Sequence, residues 1–148
     1  MSEKIHSGSA RETRALAETI AQELVGPKKH ERAVTMGLVG DLGSGKTTFT
    51  QSLIKSLGVK KGVASPTFVI FKRFKLSRQS RFRNIYHIDA YRIDKKDLLD
   101  LGWNKMLSED NIVVVEWADR VRVAMPPHTV WIRFQHGEKE NERYITIN

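Results

Sequence analysis

With 148 residues, 40% of them hydrophobic, the chain is long enough for one globular unit with a sizeable core. Its 25 Lys and Arg against 17 Asp and Glu leave a formal charge of +8, which favours polyanionic partners, and zero cysteines exclude disulfides, thiolate metal sites and cysteine nucleophiles. No apolar run approaches the ~20 residues that span a bilayer, and Met1-Ser2-Glu3-Lys4 opens no signal-like apolar region, so a cytoplasmic protein with no membrane partner is expected.

In chain order, Ser9-Ala10-Arg11-Glu12 reads as a capping box that opens a helix. Leu16, Ile20 and Leu24 recur along that helix every fourth residue, and Gly26-Pro27 stops it. Residues 33–39 read as a strand buried on both faces, and residues 47–57 as a helix that Gly58 ends. Residues 63–75, with Ser65-Pro66-Thr67 near their start, read as a strand, and residues 84–90 as another. The pattern over 94–106 is helical with a break around Gly102, and 112–115 is a short apolar strand. Beyond Pro126-Pro127, a strand over 129–134, a polar turn over 135–142 and a strand over 143–147 make a C-terminal hairpin. Alternating strands and helices without repeats or linkers define an α/β class: a single domain over 1–148, P-loop NTPase-like, with a mostly parallel central sheet and flanking helices.

The strongest chemical signal lies between the second expected strand and helix. Gly40-Asp41-Leu42-Gly43-Ser44-Gly45-Lys46-Thr47 is a complete G-x-x-x-x-G-K-[ST] phosphate loop. Its glycines let backbone N–H groups turn inward on phosphate oxygens, Lys46 reaches the β- and γ-phosphates, and the Thr47 hydroxyl suits Mg²⁺. The nucleotide-binding set is thus Asp41, Leu42, Gly43, Ser44, Gly45, Lys46, Thr47 and Thr48, with ATP and Mg²⁺ as the expected ligands.

Two acids close apolar strands: Asp89 after Ile85-Tyr86-His87-Ile88, and Glu116 after 112–115. In open α/β sheets such strand ends face the ligand, so either acid suits Mg²⁺; the alternative is an acid that merely begins a solvated loop. His87 shares a strand face with Asp89 and is either a site residue or an interior histidine. Trp103 and Trp117 read as packing residues more than as base-stacking platforms. Arg92 is the internal candidate for neutralising transition-state charge, against a surface arginine paired with Asp94.

Within 72–83, Lys72, Arg73, Lys75, Arg78, Arg81 and Arg83 run without an acid, with Phe74 and Phe82 interleaved and Phe71 just before them. Two readings fit: a tRNA-binding segment using phosphate contacts and stacking, or a strand-turn-strand with core phenylalanines and solvated cations.

Taken in order, the phosphate loop, Ser65-Pro66-Thr67-Phe68, His87-Ile88-Asp89-Ala90-Tyr91-Arg92 and Glu116-Trp117-Ala118-Asp119-Arg120 resemble the bacterial TsaE family of tRNA threonylcarbamoyladenosine biosynthesis ATPases. The resemblance implies a compact P-loop fold that binds ATP and Mg²⁺, hydrolyses ATP weakly alone, and works with the TsaB and TsaD subunits. The modification it implies is threonylcarbamoylation of adenosine 37 in tRNAs reading ANN codons. Carried over by position, Lys46 holds phosphates, Thr47 ligates Mg²⁺, Asp89 and Glu116 are the acidic positions, and Ser65-Pro66-Thr67 matches a switch-like loop. Thr67 and Glu116 then position the attacking water. Two departures are Ala90, where the family often has a bulky apolar residue, and Ala118-Asp119, where Pro-Glu is common. A small-molecule kinase and a nucleotide-dependent RNA-binding module are the competing readings of the phosphate loop. A kinase needs an arginine-bearing lid, yet the chain beyond Arg120 and Arg122 runs into Pro126-Pro127 and the hairpin.

Overall fold

The computed structural model describes residues 2–26, 32–63 and 70–148. Seven strands, β1 (Glu3–Ser7), β2 (Val34–Gly40), β3 (Phe71–Lys75), β4 (Asn84–Asp89), β5 (Asn111–Glu116), β6 (Val130–His136) and β7 (Arg143–Ile147), form one sheet in the order β1-β7-β6-β2-β5-β4-β3. The helices are α1 (Ala10–Leu24), α2 (Lys46–Ser56), α3 (Lys95–Asp100) and α4 (Trp103–Ser108), with a 3₁₀ segment over Ala118–Ala124.

The four central strands β6-β2-β5-β4 run parallel, while β3, β7 and β1 pair antiparallel at the two edges. Each residue of β5 is buried because successive side chains enter opposite cores. Ile112 and Val114 join Phe49, Leu53 and Ile54 of α2 on one face; Val113 and Val115 join Leu98 of α3 and Trp103 and Met106 of α4 on the other. The result is a sheet covered on both sides, with the C-terminal ends of β2, β4 and β5 at one rim.

Capping matches the local sequence in detail. Ser9 Oγ accepts from the Glu12 N–H, but the Glu12 carboxylate returns to the Gly8 N–H rather than to the cap residue itself. Asp94 and Asp97 form a complete reciprocal box at α3, and Gly102, at φ 90°, separates α3 from α4 where the sequence predicts a break. On α1 the fully buried stripe is Thr13, Ala17, Ala21 and Leu24, so Leu16 and Ile20 fall on its shoulder. Small residues on that stripe let α1 lie close against α2.

Three local expectations change. Of the strand expected over 63–75, Phe71–Lys75 forms β3, while Val63, which follows Gly62 with φ 75°, and Ile70 are in no strand; residues 64–69 lie outside the described residues. β6 runs on to His136, which shortens the hairpin turn. β1 carries no apolar run and exists because it completes the edge beyond β7. Among the described residues, no helix is long and apolar enough to cross a membrane.

Candidate nucleotide-binding site

β2 delivers the chain to Gly40, where a Cβ would lie 2.5 Å from the Phe134 carbonyl oxygen and 2.7 Å from Ser44 Oγ, so only glycine fits. Gly43 and Gly45 take φ 75° and 104°, the left-handed conformation that curls the loop. No side chain caps α2 at Gly45, which leaves its first N–H groups and positive dipole end facing the loop interior.

Lys46 is only 4% exposed. Its ammonium donates to the Gly40 and Asp41 carbonyls, lies 3.4 Å from Ser44 Oγ, and sits 4.1 Å from the centroid of the Trp117 ring. Burial pulls its pKa below the usual 10.5, while Glu116, Asp41, Asp119 and Asp89 push it back up. The cation is therefore held by exchangeable contacts, each of which a phosphate oxygen can replace.

Asp89 and Glu116 are register partners at the ends of the parallel strands β4 and β5. Thr47 Oγ1 donates to Glu116 Oε1 at 2.9 Å, and His87 Nε2 hydrogen-bonds the other carboxylate oxygen. Both Glu116 and His87 are buried, so His87 is paired with Glu116 and is not an isolated interior histidine. Asp89 is exposed, its Oδ1 accepting from the Tyr91 N–H at 3.0 Å. Thr47, Asp89 and Glu116 line one cavity of about 280 Å³ with Lys46 and the loop. This all-oxygen donor set suits a hard cation such as Mg²⁺. Among the described residues no three acids or histidines assemble into a metal cage, so phosphate and water oxygens would complete the shell.

The cavity is also lined by residues that no nucleotide-binding motif marks: Ser9, Ala10 and Thr13 at the start of α1, and Asn141 and Arg143 of the hairpin. Arg143 donates to the Gly43 carbonyl at 2.9 Å and to the Glu140 and Glu142 carbonyls, so the hairpin is tied to the tip of the phosphate loop. No local signal in the sequence announces this contact. Trp117 is the one non-glycine residue with positive φ among the described residues, at 58°, and its ring meets Tyr91 edge-on.

Arg92 is exposed and does not line the cavity. Arg120 lies over the Tyr91 ring and Arg122 over Trp131, so neither arginine sits on a lid. Ser65, Pro66 and Thr67 lie outside the described residues. In the basic segment Phe74 and Phe82 are core residues at 9% and 2% exposure, which removes both as stacking platforms. Arg73, Lys75, Arg78 and Arg83 are exposed.

A parallel-centred sheet with a phosphate loop between β2 and α2, and acids ending β5 and β4, the next two strands on one side, defines a P-loop nucleotide-binding protein. Residues 7–145 match the family described as threonylcarbamoyl adenosine biosynthesis protein TsaE, and the chain belongs to that family. It is 35% identical over 110 residues to the tRNA threonylcarbamoyladenosine biosynthesis protein TsaE of Bacillus subtilis, covering 74% of this chain and 66% of that one. With the Rickettsia felis protein of the same name the identity is 31% over 138 residues, 92% of this chain and 74% of the relative. The match thus spans just under two thirds of the Bacillus protein's length and about three quarters of the Rickettsia one. The crystal structure of Bacillus subtilis YdiB superposes with a TM-score of 0.72 at 27% identity, over 99% of this chain and 84% of the other.

Proposed function

We propose that residues 1–148 form a single cytoplasmic P-loop domain that binds Mg-ATP and hydrolyses it to support threonylcarbamoylation of adenosine 37 in tRNA, acting with TsaB and TsaD. The carrying observation is the linked set Thr47–Glu116–His87, which joins the phosphate loop to the end of a strand 69 residues away in sequence. A structural turn with an accidental lysine has no use for a buried carboxylate held on both oxygens.

In this reading Lys46 leaves the Gly40 and Asp41 carbonyls and the Trp117 ring for β- and γ-phosphate oxygens. Mg²⁺ would be held by the Thr47 hydroxyl with Asp89 or Glu116 and would neutralise charge on the phosphates. Glu116, its Oε2 held by His87, accepts a hydrogen bond from the water that attacks the γ-phosphorus; the bond to the β–γ bridging oxygen breaks, ADP leaves with that oxygen, and the water's proton passes to the released phosphate. Thr67 is assigned to the same water by resemblance. Positioning and charge stabilisation suffice for such a reaction.

The test is reconstitution with TsaB, TsaD, tRNA and ATP, following phosphate release and modified adenosine together. Glu116→Gln and Lys46→Ala are expected to abolish both signals while the folded chain persists. Full modification by a folded Lys46→Ala protein would refute the assignment.

A further inference from the structure

We propose that the outer face of β3 and β4, with α4, forms a groove that binds unpaired RNA through stacking on Phe71 and Tyr86 and phosphate contacts to Arg73 and Lys105. Within β3, residues Phe71, Arg73 and Lys75 alternate onto one face, and Arg73 stands directly opposite Tyr86 on β4. The Phe71 and Tyr86 rings stack with centroids 6.4 Å apart, half-buried at the margin of the core beneath α3 and α4. Together with Lys105 and Met106 of α4 they line a cavity of about 530 Å³. Arg73 also lines a second trough of about 340 Å³ whose walls include Lys75, Arg78 and Arg83. Arg73 is thus common to an aromatic shelf and a group of exposed cations, and among the described residues no acid lines either cavity.

This mixture selects its occupant. A flat shelf flanked by guanidinium and ammonium groups fits a base stacked beside its own phosphate chain, and sequence-tolerant recognition of single strands uses that combination. An acidic protein segment would use the cations but leave the shelf without a planar partner. A duplex would present phosphates but no free base face. The two cavities lie in order along the strands: Phe71 pairs with Ile88, and the Ile70 carbonyl accepts from the Asp89 N–H, so the shelf lies toward the nucleotide end of the sheet and the cationic trough toward the other. Of the three phenylalanines that the sequence reading offered for stacking, Phe71 keeps that role, whereas Phe74 and Phe82 point into the opposite core. It rests on the tRNA reading only for which RNA is bound in the cell.

The purified full chain is titrated with a labelled stem–loop RNA carrying a seven-nucleotide loop, and with the same stem closed as a blunt duplex, over a series of salt concentrations. We expect the stem–loop to bind more tightly, and Arg73→Glu with Lys105→Glu to weaken it and flatten the salt dependence by about 1.4 in log–log slope, at ~0.7 per phosphate contact. Phe71→Leu with Tyr86→Leu keeps apolar volume against the core but removes the rings, and is expected to weaken loop binding about tenfold with the salt slope unchanged. Nucleotide-induced thermal stabilisation, retained in both double variants, shows that they are folded. Equal affinity of wild type and both variants for the stem–loop, or no preference over the duplex, overturns the proposal. Loss of TsaB and TsaD association in the charge variant, with RNA affinity unchanged, also overturns it and assigns the groove to protein. RNA binding that behaves as expected in a chain that supports no modification leaves the groove standing and refutes the function proposed above.

Discussion

Replacing Lys46 with Met separates what the buried ammonium costs the fold from what it does for the nucleotide. The variant removes a donor to the Gly40 and Asp41 carbonyls and to Ser44, but also removes a charge held at 4% exposure. Unsatisfied acceptors cost about 1–3 kcal/mol each when fully buried, yet Asp41 is exposed, so water takes up part of that loss. Relief of the desolvated cation offsets more of it, and the nucleotide-free melting temperature is expected to move by no more than about 4 °C either way. Ligand-induced stabilisation is different. At a hundredfold excess over Kd, ATP with Mg²⁺ adds ~2.7 kcal/mol, which for a chain of this size is about 5–11 °C. That shift is expected in the wild type and absent from Lys46→Met. The pH dependence carries the same signature. Because burial lowers the folded-state pKa below 10.5, the unfolded chain binds the extra proton between the two values. The penalty is complete below the folded value and is lifted as pH rises toward 10.5, so the wild type gains stability across that window relative to the variant. Scanning fluorimetry with and without Mg-ATP, from neutral to alkaline pH, measures all three. An equal nucleotide shift in wild type and variant refutes the placement of Lys46 at the phosphates.

Asp89→Ala and Glu116→Ala are expected to reduce Mg²⁺-dependent hydrolysis far more than metal-free nucleotide binding, and non-additively, since both line one cavity; phosphate release against calorimetric affinity checks this. His87→Leu leaves one oxygen of buried Glu116 without its partner and is expected to cost about 1.5–3 kcal/mol, read from urea unfolding, whereas His87→Gln recovers part of the loss. Gly37→Ala would place a Cβ 2.9 Å from the Trp131 ring and 3.1 Å from Ala118 Cβ, so a loss of about 1–3 kcal/mol is expected in the same assay. Glu142 is held below its usual 4.5 by His6 and the Glu138 N–H; its contribution is present above 4.5 and lost as pH falls through the lowered folded value. Glu142→Gln is expected to flatten the acid limb of the melting-temperature profile there, and an unchanged limb would show the pair to be inert.

What the sequence determined alone are the features built by neighbours along the chain. The phosphate loop, the cap at Ser9, the box at Asp94 and the break at Gly102 each depend on fewer than a dozen consecutive residues, and backbone sterics with short-range hydrogen bonds settle them locally. The apolar run of β5 likewise declares a strand covered on both faces. The family, too, is legible in the order of its motifs. Tertiary structure decided the rest. β1 is a polar pentapeptide that becomes a strand only because β7, from the far end of the chain, offers an open edge. Arg143 reaches Gly43 across 100 residues, and the partners of Glu116 come from α2 and β4. In the basic segment, alternation shows that Phe74 opposes Phe71 and Arg73 but not which side is covered; the packing of α1 and α2 on one face, and of α3 and α4 on the other, makes that choice. A side chain's periodicity fixes its phase relative to its neighbours, whereas its exposure and its partners depend on which elements fold back upon it.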